Sequence, residues 1–98
     1  MVRLSAGAAR HVRDLREHYD KKGRPEAAIN LARALERAIE RIEAAPDKGM
    51  VVPGPYYSVA REGRLWIKEG RYWFRYSFTS PPVILAVFFE SANIPGRV

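Results

Sequence analysis

The stretch that decides the fold runs from Gly70 to Phe89. It reads Gly70-Arg71-Tyr72-Trp73-Phe74-Arg75-Tyr76-Ser77-Phe78, then Thr79-Ser80-Pro81-Pro82, then Val83-Ile84-Leu85-Ala86-Val87-Phe88-Phe89. Tyr72, Phe74, Tyr76 and Phe78 alternate with Trp73, Arg75 and Ser77, a period of two that sends four aromatics to one face of a strand. Val83 to Phe89 is apolar at every position and rich in β-branched residues, as a strand buried on both faces requires. Thr79 to Pro82 supplies the turn between them. The aromatic face of this pair needs a cover. The other face, with Trp73 and Arg75, is expected to stay open for a partner.

Upstream, Arg64 to Lys68 reads as another strand, with Glu69 and Gly70 turning the chain into the aromatic one. The cover comes from the N-terminal half. Ser5 is placed to cap a helix from Ala6 to about Lys22, whose stripe of Ala8, Val12, Leu15 and Tyr19 falls at helical spacing. Gly23 stops it. Pro25 fits the first turn of a second helix, along which Ala28, Leu31, Ala32, Leu35, Ala38, Ile39 and Ile42 form an apolar face up to Pro46. So short a connection makes the two helices an antiparallel hairpin. Val2 to Leu4 reads as a short first strand. Asp47 to Glu62 is a loop whose Val51, Val52, Tyr56 and Tyr57 are expected to tuck under the sheet, and the tail after Glu90 is irregular. The expected fold is α+β in the order β-α-α-β-β-β, a helical hairpin on one face of a small, mainly antiparallel sheet, forming one domain over residues 1–98.

With 98 residues, 47% of them hydrophobic and 29% charged, the chain has the composition of an ordinary globular protein with one core. The longest apolar run, Val83 to Phe89, is far below the roughly 20 residues that span a bilayer. No apolar run follows Arg3, so a secretory leader is not expected and a cytoplasmic location is. Cysteine is absent, which removes disulfides, thiolate nucleophiles and zinc-cysteine sites.

The net charge of +6 favours an acidic partner, either nucleic acid or an acidic protein segment. From Arg61 onward, Arg61, Arg64, Lys68, Arg71, Arg75 and Arg97 outnumber Glu62, Glu69 and Glu90 beside the aromatics. That pattern serves phosphate contact and base stacking, and equally a solvated sheet edge protected from aggregation. On the second helix Arg33, Arg37 and Arg41 form an i, i+4 row interspersed with Glu36, Glu40 and Glu43. It reads as a binding stripe or as a compensated, solvated surface.

His11 and His18 are seven residues apart on one helix, roughly 10.5 Å along its axis, too far to share a metal. They read as helix-surface histidines. No acidic pair, phosphate loop or metal-ligand cluster appears, and Ser5, Ser58, Ser77, Ser80 and Ser91 lack the context of a nucleophile. No cofactor is expected. Arginine, lysine and tyrosine remain, and they are able to cleave RNA by stabilising charge on the scissile phosphate during attack by the 2'-hydroxyl.

The pattern resembles the RelE/ParE superfamily of toxins from type II toxin-antitoxin systems, over nearly the whole chain. The resemblance rests on the opening Val2-Arg3-Leu4-Ser5 with Ala8, Ala9 and Asp14-Leu15, on Pro25 and Ala27-Ala28 opening the second helix, and on Pro46-Asp47-Lys48-Gly49 closing it. It continues through the Arg64 to Lys68 strand and the Tyr72 to Tyr76 strand, similar to the family's Tyr-Arg-x-x-Tyr segment. The final strand and the ending Phe89 to Arg97 are similar to ParE-like members.

The resemblance implies a cytoplasmic growth inhibitor held in a hetero-oligomer by a cognate antitoxin. RelE-like members cleave mRNA on the ribosome, while ParE-like members poison DNA gyrase without being enzymes. At the second position of the Tyr-Arg-x-x-Tyr segment, where RelE-like nucleases carry arginine, this chain has Trp73. After the last strand it has Glu90 to Gly96 with Arg97 alone, where those nucleases carry a basic cluster. The ParE-like reading is therefore favoured, with Trp66, Trp73, Arg75, Glu90, Asn93, Ile94 and Arg97 as target-binding residues. Under the nuclease alternative the catalytic residues are Lys68, Arg71 and Arg75. Val12, Leu15, Tyr19, Leu31, Leu35, Trp66 and Trp73 are expected to meet the antitoxin. A non-toxic relative that only binds an antitoxin is the third reading.

Overall fold

A computed structural model describes residues 1–51 and 63–91. The elements follow in the order β1 (Arg3–Leu4), α1 (Ala6–Lys21), α2 (Pro25–Ala44), β2 (Arg64–Glu69), β3 (Tyr72–Ser77) and β4 (Val83–Phe89). The sheet order is β1-β4-β3-β2, with β1 parallel to β4 and the other pairs antiparallel. This is the expected α+β architecture.

Local chemistry sets the helix ends. Ser5 Oγ accepts from the Ala8 N–H at 3.0 Å, meeting one of the donors that a helix start leaves open, and donates to the Leu85 carbonyl at 3.3 Å. The same hydroxyl thus caps α1 and ties it to β4. After α1, Gly23 adopts φ +64°, a conformation that lets the chain reverse within a few residues. Pro25 then opens α2 in its first turn.

Leu31, Ala34, Ala38 and Ile42 of α2 are buried with Ala8 of α1 against Ile67, Phe74, Tyr76, Ile84 and Val87 of the sheet. Val12, Leu15, Tyr19, Leu35 and Ile39 pack around them, partly buried. Ala32, expected on the buried stripe, is exposed, and Ala34 takes the inward position. With small alanines on several sides of the helix, the pattern alone does not choose between them.

The second sheet face is a correction. Trp66 is 0% exposed and Trp73 9%, and together with Ala86 and Phe88 they form a second apolar cluster. The face expected to lie open is packed. Strand register explains the cluster: Lys68 lies opposite Trp73, and Trp73 opposite Phe88, so tryptophans and phenylalanine from three strands meet on one side. The Trp66 and Phe88 rings stack at 6.0 Å between centroids.

Other expectations also shift. Phe78 lies beyond the end of β3 and is 55% exposed, its N–H bound to the Gly63 carbonyl, so three aromatics rather than four line the helix-facing side. Val51 is 59% exposed instead of tucked under the sheet, while its neighbour Met50 forms a two-hydrogen-bond bridge to the edge of β2 at Trp66. Val52, Tyr56 and Tyr57 lie outside the described residues. His11 is half-buried rather than a surface histidine. Its Nδ1 accepts the Val87 N–H at 3.1 Å, satisfying the edge of β4 beyond the short β1. Among the described residues, no helix is long and apolar enough to cross a membrane.

Candidate functional site

The turn between β2 and β3, which Gly70 makes at φ +59°, brings Lys68 and Arg71 beside the end of β4. Glu90 stands between them. Its carboxylate meets Lys68 Nζ at 3.0 Å and Arg71 Nε at 2.9 Å, and its N–H donates to the Arg71 carbonyl at 2.9 Å. The Lys68 ammonium, and after it the Arg71 guanidinium, hold the Glu90 carboxyl below its ordinary range. Arg71 also lies over the Phe89 ring, 5.1 Å from its centroid.

On the helix side of Arg71, between the turn end of the hairpin and the sheet, lies a groove of about 570 Å³. Leu15, Ala34, Tyr19, Tyr72 and Phe89 contribute its apolar lining, and Arg24, Arg33, Arg37 and Arg71 its cations. Among the described residues Glu26 is the single acid in the lining, and Arg24 Nε donates to it at 2.8 Å. At the base the Tyr19 and Tyr72 hydroxyls share a hydrogen bond. Burial, with that hydrogen bond second, drives the Tyr72 phenol well above its ordinary range.

The arginine row on α2 divides in two. Arg41 leaves the row for the sheet, donating to the Lys68 carbonyl at 2.7 Å and to Glu69 at 3.1 Å. Arg33 and Arg37 line the groove and form no ion pair among the described residues. The compensation expected from neighbouring glutamates on α2 is therefore not made. Glu43 instead accepts the Val2 N–H at 3.1 Å.

The structure thus brings Lys68, Arg71 and Glu90 together and places Arg75 apart. Arg75 is half-buried on the outer face, its guanidinium 5.7 Å from the Trp66 ring centroid. Trp66 and Trp73, expected to touch a target or an antitoxin, have little or no free surface, and Leu31 is 0% exposed for the same reason: it is core. Leu15 and Tyr19 keep a surface in the groove, whereas Val12 and Leu35 lie outside its lining. Asn93, Ile94 and Arg97 are outside the described residues. In the sequence the groove is marked by the Arg33–Arg37 spacing and by Leu15 and Tyr19 on the α1 stripe, while its other wall comes from a turn almost forty residues beyond Arg33 in the chain.

No protein-family model matches the chain, and no curated protein is similar to it.

Proposed function

We propose that this chain is the toxin of a type II toxin-antitoxin system, a ParE-like inhibitor that binds and poisons DNA gyrase and is neutralised by a cognate antitoxin. The sequence resemblance supplies the family, and the element order β-α-α-β-β-β is the one it implies. The choice against an mRNA endonuclease rests on one observation: Glu90 occupies the space between Lys68 and Arg71. A metal-independent nuclease stabilises the charge building on a phosphate with free cations. Here a carboxylate already takes two of the three, and the third, Arg75, stands over a buried tryptophan.

Burial of Trp66 and Trp73 moves the target-binding surface toward exposed polar groups at the β2–β3 turn and toward the tail, where Asn93, Ile94 and Arg97 remain assigned. Removing residues Ile94 to Val98 should abolish toxicity while the core stays folded. A truncated chain that remains fully toxic would eliminate the tail's role.

The deciding experiment expresses the chain alone in a bacterial host. Growth arrest with filamentous cells and an induced DNA-damage response is expected. Arrest without that response, with translated mRNAs cut inside codons, would move the assignment to a ribosome-dependent nuclease. A folded product that leaves growth untouched would leave only antitoxin binding.

A further inference from the structure

The cations of the groove beside the β2–β3 turn are not equally committed. Arg24 is paired with Glu26 and Arg71 with Glu90, while Arg33 and Arg37 are exposed on α2 with no ion pair among the described residues. They stand one helical turn apart, about 6 Å along the axis. The row goes no further, because Arg41, the next in it, is turned to the Lys68 carbonyl and Glu69. Toward the turn end of the hairpin the lining changes character. Asn30 is an exposed amide on α2, and α1 contributes His18 and Tyr19. The His18 ring is exposed and meets the Tyr19 ring edge-on at 5.9 Å, while Tyr19 is half-buried and held by its shared hydrogen bond with Tyr72.

Guanidinium forks match phosphate oxygens two at a time, and two of them one turn apart suit two linked phosphate groups. A long strand of nucleic acid would need such cations repeated along its track. Here the free pair stands alone, with Arg24 and Arg71 engaged on either side and Arg41 diverted. What lies next to the pair is surface for one ring: His18 and Tyr19 offer aromatic contact to a base, and the Asn30 amide offers a donor and an acceptor to its edge or to a ribose hydroxyl. The volume of about 570 Å³ falls within the roughly 300–1,000 Å³ of small-molecule sites.

We propose that this groove is a binding site for a nucleoside di- or triphosphate. Arg33 and Arg37 take the phosphates, and the base lies toward the turn end of the hairpin against His18 and Tyr19. The order along α2, Asn30 then Arg33 then Arg37, sets the neutral amide beside the aromatic end and the charges beyond it. The site draws on neither Lys68 nor the tail, so it does not depend on the toxin reading.

The test is calorimetric titration of the full chain at neutral pH with ADP, GDP, CDP and UDP, with inorganic pyrophosphate for the phosphates alone and a single-stranded oligouridylate for a strand. At least one nucleoside diphosphate should bind with a Kd below about 1 mM, and more tightly than pyrophosphate. The Arg33→Gln/Arg37→Gln variant should weaken both by about tenfold or more. Arg10→Gln/Arg13→Gln, which removes the same charge from exposed positions of α1, should weaken them by no more than about twofold. His18→Ala should weaken the nucleotide by about fivefold and leave pyrophosphate unchanged, because it removes contact with the base alone. Binding of none of the four nucleotides at that concentration would overturn the proposal. So would equal weakening by both arginine variants, since bulk charge would then explain it. Pyrophosphate binding as tight as any nucleotide, with His18→Ala without effect, would reduce the groove to an anion site, and tighter, Arg33- and Arg37-dependent binding of oligouridylate would assign it to a strand. The growth experiment is independent: nucleotide binding through Arg33 and Arg37 without growth arrest sinks the toxin reading and keeps this site.

Discussion

Tyr76 joins the end of α2 to the sheet through one hydroxyl. It donates to the Pro46 carbonyl at 2.7 Å and accepts the Gly49 N–H at 3.1 Å. Tyr76→Phe strips both groups of their partner, and a loss of about 1–3 kcal/mol in denaturant unfolding is expected. Gly49 is equally constrained, because a Cβ there would lie 2.5 Å from Tyr76 Oη and 2.7 Å from Leu65 Cβ. Gly49→Ala should destabilise by displacing the same hydroxyl, so the double variant should cost less than the sum of the two. Burial raises the phenol pKa of both Tyr72 and Tyr76. A raised value in the fold means that the neutral form is favoured there. The associated stability is complete below the unfolded tyrosine value of roughly 10 and is lost as pH climbs through the folded values. An ultraviolet titration should show Tyr72 and Tyr76 ionising above the ordinary tyrosine range, and Tyr19→Phe should bring Tyr72 down. None of these pairings is legible in the sequence. Alternation shows that Tyr76 faces the helices, not which carbonyl its hydroxyl reaches across thirty residues.

At the scale of elements the sequence is far more informative, because periodicity and end signals are local. Ser5, Gly23, Pro25 and Pro46 mark the hairpin, and the alternation from Tyr72 onward marks β3. Ser5→Ala tests the cap directly: the loss of the Ala8 N–H acceptor should lower stability by about 1 kcal/mol, measured by denaturant unfolding. Because Ser5 also donates to Leu85, amide exchange in the first turn of α1 and at β4 should speed together; faster exchange in α1 alone would show that the link to the sheet carries nothing. What stays hidden is pairing at a distance. β1 is only two residues long, so its parallel match to β4, Arg3 to Val83 and Leu4 to Ile84, leaves no pattern of its own. The register shift between Arg75 and Tyr76 is hidden likewise, since it depends on how β4 runs beside β3.

Across the whole molecule, the sheet is packed on both faces, and this changes which substitutions are informative. An alternation of tryptophan with lysine and arginine reads as a half-wet face. Only the three-strand register places Phe88 and Ala86 beside Trp66 and Trp73 and makes that face a core. Trp73→Arg, the obvious way to restore a nuclease-like arginine, would put a charge among buried rings and destabilise the fold. Glu90→Gln is the better probe, because Glu90 is a surface group whose carboxylate pairs with both Lys68 and Arg71 and offsets one of their two charges. Its lowered pKa means that this pairing is fully present at neutral pH and is lost only as pH falls through the folded value. Protonation would then free both cations. Oligouridylate binding by the unmodified chain should therefore be weak at neutral pH and strengthen on acidification. Glu90→Gln should bind more tightly at neutral pH, lose that pH dependence and fall steeply with added salt, as phosphate contacts do. If Glu90→Gln and the unmodified chain bind alike across the whole range, Glu90 is not what keeps phosphate away from Lys68 and Arg71, and the case against nuclease chemistry loses its main support.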